Sequence, residues 1–556
     1  MQLNHCYSSL SRSLTCTCRY KRHVVTSCRL HLKVYRRHSD MRTFTSLLAV
    51  WMISGCFADN ILVFLPVTLR SHYTQVEPLF QALALRGHNV TEVSPYPPKR
   101  KIINVTHIFY PPTSPGNLMG NQFEMAQSRP QGPFLRHWSK EAFADNLIPP
   151  VLESSVFKDI TQGDTRFDLI FTEVFFSQEA LVVLGHIFNA PIVAFSSNGY
   201  NIDFLSIFGA PTAAAYLLDK LGLAPPMDLA GRLQNAWEQY ASLIYNEFYY
   251  YPLCDALLSH YVPGSIPRIS DMLRNVSLVF LTGNVAVDGA KLYPPNVIEI
   301  SGLHFRDPRP LDKGLAEVME KSKEGVIFFS LGTILKTGLL RKEAIHTFLT
   351  VFKELNQTVL WRADSNINDC DIPRNVLVRD WFDQNSILAH NNCVLFLTHG
   401  GISSTMEAIR HAVPMILMPI FGDQDVNAAN AEMRGYGLRI FYNNLTKTSV
   451  RLAIETVLGD SRFKKSIRKA SKIMTDQPMT SLDTAIYWME YVIRHKGAHH
   501  LKPITVSMPL YQILLLDVIA VYLTAFLVMT FLIVKLVKFI CKKRDQKIND
   551  SKLKEN

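Results

Sequence analysis

Short continuous apolar runs alternate along this chain with stretches whose apolar residues recur every three or four positions. Ile61-Leu62-Val63-Phe64-Leu65 is the first such run, the pattern of a strand buried on both faces in a parallel sheet. Over 71–86, Val76, Leu79, Phe80, Leu83 and Ala84 fall at i, i+3, i+4, i+7 and i+8, one apolar helical face closed by Gly87. Pro78 predicts that this helix starts only just before it, because only a first turn tolerates a missing N–H. The same alternation predicts a strand over 167–172, a helix over 178–188 and a strand over 192–195. Past the middle, runs at 326–330, 359–361, 394–397 and 415–418 read as further strands between helical stretches. The pattern predicts an α/β protein with two Rossmann-like domains facing each other, 59–305 and 315–500, joined at 306–314, where Arg306-Asp307-Pro308-Arg309-Pro310 reads as a linker. Ligands of such sheets bind beyond the carboxyl ends of the strands. Two sheets across a cleft suit a two-substrate transferase or a hinge-closing binding protein.

Two apolar segments fall outside this alternation. Met41-Arg42 precedes an apolar run that ends in Gly55-Cys56-Phe57-Ala58, so 41–58 reads as a signal peptide behind a leader at 1–40. Residues 510–534 are almost wholly apolar, interrupted mainly by Asp517, and match a bilayer core of about 30 Å as a transmembrane helix. The basic tail at 535–556 marks the cytosolic side. Together these predict a single-pass type I protein with its domains in a secretory lumen. Lys552 and Lys554 resemble a dilysine retrieval signal for the endoplasmic reticulum. Sequons at Asn89, Asn104, Asn275, Asn356 and Asn444 are compatible with lumenal exposure, although Asn89 falls where a strand is expected.

The net charge of +11 over 556 residues first suggests nucleic acid, but it is concentrated in the leader and the tail, and the body between them is slightly acidic. No nucleic-acid partner is expected. Beyond the signal segment the lumenal part would hold only Cys254, Cys370 and Cys393, and no paired CxxC suggests zinc. The fold must rest on its core.

The chemistry concentrates between Trp381 and Gln424. Leu395-Phe396-Leu397 is a strand, Gly400-Gly401 a turn where backbone can approach a ligand, and Ser403-Ser404 the start of a helix reaching about Arg410. Free N–H groups and the positive dipole end make such a start an anion site, suited to a diphosphate. His399 at the strand's end can donate to a phosphate oxygen. Glu407, one turn into the helix, offers a carboxylate to a ribose diol, and Trp381 offers a flat face to a base. Asp423 and Gln424 follow the next strand and can bond sugar hydroxyls.

The run Trp381-Phe382-Asp383-Gln384 … Thr398-His399-Gly400-Gly401-Ile402-Ser403-Ser404-Thr405-Met406-Glu407 … Gly422-Asp423-Gln424 resembles the donor signature of the UDP-glycosyltransferases, the family that includes the UDP-glucuronosyltransferases and has the two-domain GT-B fold. Phe329-Ser330-Leu331-Gly332-Thr333 and Trp488-Met489-Glu490-Tyr491-Val492-Ile493-Arg494-His495-Lys496-Gly497-Ala498 extend the likeness, which looks closer to invertebrate members. The resemblance implies that Trp381 stacks on uracil and Gln384 reaches the ribose, while His399, Gly401 and the Ser403 and Ser404 amides hold the diphosphate. It further implies that Glu407 binds the ribose, Asp423 and Gln424 hold the sugar, and Thr333 contacts phosphate. Many vertebrate members have Asn-Gly near Ser403-Ser404; backbone amides carry the binding in either case.

His72 follows the first strand at the cleft mouth, and Ser71-His72 with Arg86-Gly87-His88 resembles the family pattern in which this histidine is the general base. Its usual partner is an aspartate ending the fourth strand. Here Glu173 occupies that end of Phe167-Asp168-Leu169-Ile170-Phe171-Thr172-Glu173, with Asp168 at the other. The resemblance therefore implies an inverting hexosyl transfer, glucosyl or glucuronosyl, from UDP-glucose or UDP-glucuronate to a small lipophilic alcohol or phenol. No metal or other cofactor is expected. Asp423-Gln424-Asp425 and Asp369-Cys370-Asp371 match a metal-binding DxD literally, and are read as the sugar-binding pair and a chance loop match. Nothing in the sequence excludes a homo-oligomer. The reading from another class is a catalytically silent lumenal binding protein for apolar molecules. A nucleotide-sugar epimerase would need no anchor, and the missing GxGxxG after the first strand argues against a dehydrogenase.

Overall fold

The computed structural model describes residues 58–554, apart from 99, 112–122, 124–132, 175–176, 200, 212, 217–225, 364–366 and 368–370. The leader, the signal segment up to residue 57, and Cys370 lie outside the described residues. The first half forms a seven-stranded sheet in the order β3-β2-β1-β4-β5-β6-β7. Its strands are β1 (Asn60–Phe64), β2 (Asn89–Ser94), β3 (Val105–Phe109), β4 (Leu169–Glu173), β5 (Ile192–Ser196), β6 (Leu278–Leu281) and β7 (Val297–Glu299). The second half forms a six-stranded sheet in the order β10-β9-β8-β11-β12-β13. Here the strands are β8 (Val326–Ser330), β9 (Thr358–Arg362), β10 (Val376–Arg379), β11 (Cys393–Thr398), β12 (Met415–Leu417) and β13 (Gly437–Arg439). Every pairing between neighbouring strands is parallel. Six helices matter below: α1 (Arg70–Leu85), α2 (Leu229–Tyr245), α3 (Gln384–Ala389), α4 (Ile402–Arg410), α5 (Ser481–Arg494) and α6 (Leu516–Lys554).

The continuous apolar runs are explained by two-sided burial. Leu62 and Phe64 enter one core and Ile61 and Val63 the core on the opposite face of the same sheet. Ile327 and Phe329 are likewise separated from Val326 and Phe328 in the second sheet. Parallel strands covered on both faces need no polar alternation.

α1 starts at Arg70, so Pro78 stands in its ninth position, well past the first turn. The expectation that proline would delay the helix start was wrong. The carbonyl that loses its N–H partner belongs to Thr74, which is exposed and so open to water. Meanwhile Val76, Leu79, Phe80 and Leu83 are fully buried. Burial of that face outweighs a helix penalty of about 3 kcal/mol.

Sequence order and packing part company near the end. α5 lies within 315–500, yet its Ala485, Ile486, Met489 and Val492 join the core of Ile61, Val63 and Val76. Arg86 Nε beside Glu490 Oε1 at 2.5 Å fixes this crossing at the surface. Residues Leu510–Ile513 form a separate short turn of helix, Leu515 takes a φ of +54°, and α6 then runs for 39 residues. Its segment Leu516–Asn549 is long and apolar enough to cross a membrane and is not buried against the rest of the protein.

Candidate active site

In both sheets the strand order reverses near the middle, and the two walls of the site grow there. In the first sheet β1 runs beside β4, with Phe64 opposite Thr172. The chain leaving β1 turns into α1 and carries His72 in its first turn, while Glu173 ends β4. In the second sheet β8 runs beside β11, with Ser330 opposite Thr398. The loop after β8 carries Thr333, and His399 follows β11 directly before α4. Strands that neighbour each other but send their connections to opposite faces leave a crevice at their carboxyl ends.

His72 Nδ1 lies 2.7 Å from Glu173 Oε1. The carboxylate is fully buried, and Thr68 Oγ1 donates to its Oε2 at 2.7 Å while Ser197 Oγ donates to Oε1 at 2.9 Å. Ser197 Oγ is also 2.9 Å from His72 Nδ1. A buried carboxylate held by this many donors is fixed in place and in turn fixes the ring's orientation. Asp168, at the other end of the strand, instead accepts from the Asn60 amide at 2.8 Å.

Across the cleft, a cavity of about 350 Å³ is lined by His72 and by Thr333, Trp381, Gln384, His399, Gly401, Ser403, Ser404, Glu407, Asp423 and Gln424. Glu173 stands behind His72 rather than in the wall. Trp381 is 64% exposed, an accessible flat face, with the Arg362 guanidinium 5.4 Å from its ring centre. Gln384 opens α3, and its amide donates to Glu407 Oε2 at 2.8 Å and Ser404 Oγ at 3.1 Å. Gln424 is buried, and its Oε1 accepts from the Ile420 and Phe421 amides at 2.8 and 3.1 Å, which shapes the loop before it.

The start of α4 is arranged around Asp423. Its Oδ2 takes the Ile402 amide at 3.3 Å and Asn427 Nδ2 at 2.5 Å. Ser403 and Ser404 follow as the next two residues, whose amides have no carbonyl one turn back within the helix. His399 is wedged between two glycines. A Cβ on Gly332 would stand 2.6 Å from its Cε1, and one on Gly401 2.6 Å from its Nε2. Burial, with the Arg362 charge adding to it, pushes the His399 pKa down to about 4. The ring is neutral at pH 7, with one donor and one acceptor nitrogen. Burial raises Glu407 to about 7 and raises Asp423 as well, each opposed by hydrogen bonds from amide side chains.

Sequence reasoning missed several participants. Thr68 and Ser197 complete the setting of Glu173. Gln75 takes a hydrogen from Thr282 Oγ1 at 2.5 Å and donates across the cleft to Ser403 Oγ at 3.0 Å, linking the two halves. Arg362 ends β9, donates from Nη1 to the Gly332 carbonyl and from Nε to the Asp380 carbonyl at 3.2 Å, and brings a cation to the cavity. His304 lines the same cavity 4.0 Å from Glu407, and burial lowers it to about 4, so it faces that carboxyl uncharged. The available signal was position: Ser197 and Arg362 lie at or just past the carboxyl ends of strands beside the crevice.

Paired α/β sheets with a cleft between them define the GT-B glycosyltransferase architecture. The fold is shared with CalG4, the calicheamicin glycosyltransferase, at a TM-score of 0.54 and 18% identity, covering 79% of this chain and 99% of that one. It is shared also with a UDP-glucosyltransferase from Polygonum tinctorium capable of glucosylating indoxyl, at 0.54 and 14%, covering 80% and 99%. The model of the family described as "UDP-glucoronosyl and UDP-glucosyl transferase" matches residues 151–549. "UDP-glucosyltransferase 2" of Dactylopius coccus is 34% identical over 499 residues, 88% of this chain and 94% of that protein. Human "UDP-glucuronosyltransferase 2B7" is 28% identical, over 88% and 96%. The chain belongs to this family of UDP-glycosyltransferases, of the glucosyl and glucuronosyl type.

Proposed function

We propose that this enzyme transfers glucose or glucuronic acid from its UDP-sugar to a hydroxyl of a small lipophilic alcohol or phenol, with inversion and with His72 as general base. The observation that carries this reading is the shared cavity: His72, backed by Glu173, lines one wall, and the ten donor-side residues line the other. In this scheme Trp381 stacks on uracil, and Gln384 and Glu407 hold the ribose. The Ser403 and Ser404 amides with His399, Gly401 and Thr333 hold the diphosphate, and Asp423 with Gln424 holds the sugar. The acceptor O–H gives its proton to His72 Nε2 as its oxygen attacks the anomeric carbon, and the C1–O bond to the β-phosphate breaks toward UDP. Glu173 stabilises the imidazolium so formed, the role a carboxylate plays behind a histidine base in hydrolase triads. The α4 N-terminus and Arg362 meet the charge that develops on departing UDP. No step is assigned to a metal or other cofactor.

The reading places the catalytic halves in the lumen of the endoplasmic reticulum, held by α6 as a single type I span. The test is turnover of a model phenol by membranes bearing the chain, offered UDP-glucose and UDP-glucuronate separately. Product is expected with at least one donor, and His72→Ala should abolish it while UDP still binds. Absence of product with either donor across several phenols and alcohols, together with absence of UDP affinity, would overturn the proposal in favour of a silent binding protein.

A further inference from the structure

The helix α2 turns most of its large apolar side chains outward. Its buried face carries Asn235, Glu238, Gln239 and Ser242 beside Ala241 and Leu243. Its exposed positions include Leu229, Leu233, Trp237, Tyr240 and Ile244 beside Ala230, Arg232 and Gln234, and the apolar stripe continues to Phe248 in the wider turn Asn246–Tyr250. Exposure runs from 37% at Tyr240 to 71% at Phe248. The spacing of four, four, three, four and four residues keeps all six side chains on one arc of about 100°. A surface helix in water shows the opposite arrangement, and a contiguous apolar surface of this kind marks an interaction site.

What covers it is indicated by its neighbour. Ile244 and Phe248 line one side of a cavity of about 1530 Å³ whose other side is formed by Met508, Tyr511, Leu514 and Leu516. Leu516 is the first residue of α6. The stripe therefore lies at the end of the molecule where the chain enters its membrane-spanning helix. Two nearby cations are engaged within the protein, Arg274 at 3.4 Å from Glu247 and Lys502, whose Nζ donates to the Arg274 carbonyl at 3.0 Å, while Arg268 stays largely exposed at the cavity's edge. The larger surface on display is the apolar stripe of six side chains.

We propose that the α2 stripe lies in the interfacial layer of the leaflet that α6 enters, a second, monotopic attachment that seats the first half on the bilayer. Side chains of such a helix reach about 5–10 Å into the boundary between headgroups and acyl chains. The inference rests on α6 crossing a bilayer and not on the assignment of donor, acceptor or base.

The experiment uses the full chain in phosphatidylcholine proteoliposomes, with Phe248→p-benzoylphenylalanine and, as the control, Leu452→p-benzoylphenylalanine. Leu452 is 61% exposed on the helix Lys447–Gly459 of the other half. After irradiation, mass spectrometry should find phosphatidylcholine joined to the protein at 248 and none above background at 452. Thermal transitions matching the parent establish that both variants are folded. A covalent dimer at 248 would mean that a second copy covers the stripe, and no adduct at 248 would mean that it faces water; either overturns the proposal. Product formation and UDP binding do not enter the readout, so this test can fail without touching the transferase reading, and the reverse.

Discussion

Replacing Glu173 by glutamine removes a charge and almost nothing else. The side chain is fully buried, and the amide keeps the length of the original. One amide oxygen can still accept from His72 and Ser197, which now lie 2.7 and 2.9 Å from Oε1. The new NH₂ faces Thr68 Oγ1, 2.7 Å from Oε2, whose hydroxyl can turn to accept. What disappears is the anion beside the imidazolium of the proposed general-base step. Unit charges about 3 Å apart attract by roughly 5 kcal/mol at an effective dielectric near 20. A general base contributes about 10²–10⁴ in rate, or roughly 3–5 kcal/mol at about 1.4 kcal/mol per decade. Glu173→Gln should therefore lower kcat/KM for a phenol by about 10²–10⁴ while UDP affinity, measured by calorimetry, stays unchanged. A loss smaller than about threefold would refute the dyad as the source of base catalysis. So would an equal fall in UDP affinity, because the damage would then lie in the fold of the cleft.

Other outcomes follow from the donor side. Burial raises Glu407 to about 7, and ribose hydroxyls donate more strongly to its ionised form, which accepts at both oxygens. UDP affinity should therefore climb as pH rises from about 6 to 8, and Glu407→Gln should bind UDP weakly with no step in that range. Isothermal titration across pH checks both. Gly401→Ala sets a methyl 2.6 Å from His399 Nε2 at an ordinary φ, whereas Gly332→Ala adds the same collision at a φ of +76°. Both should weaken UDP binding about tenfold or more by displacing the imidazole, and Gly332→Ala alone should carry a further loss of roughly 1–2 kcal/mol from left-handed backbone. Thermal melts beside UDP titrations separate the two effects.

The donor side of this site is nearly continuous in sequence, which is why it could be read there. Strand, Gly-Gly turn, serines at the helix start and Glu407 one turn on are local features whose order already dictates how they sit together. Apolar runs of three to six residues likewise announced parallel strands, because burial on both faces leaves no place for a polar alternation. The side proposed to hold the base is different. His72 and Glu173 meet across 101 positions, and Ser197 joins from a third strand.

The sequence by itself thus determined the two α/β sheets, the donor loop and the helix long enough to span a bilayer, since each depends on residues within one or two turns or strands. Tertiary structure decided the rest. It let α1 run through Pro78, because Thr74, whose carbonyl is freed, is exposed while the opposite face is buried. It sent α5 back across to the first sheet. It also chose which face of α2 to bury, something periodicity cannot tell: a helical wheel gives the angle of the apolar stripe, but only the packing of distant segments fixes which way that stripe points.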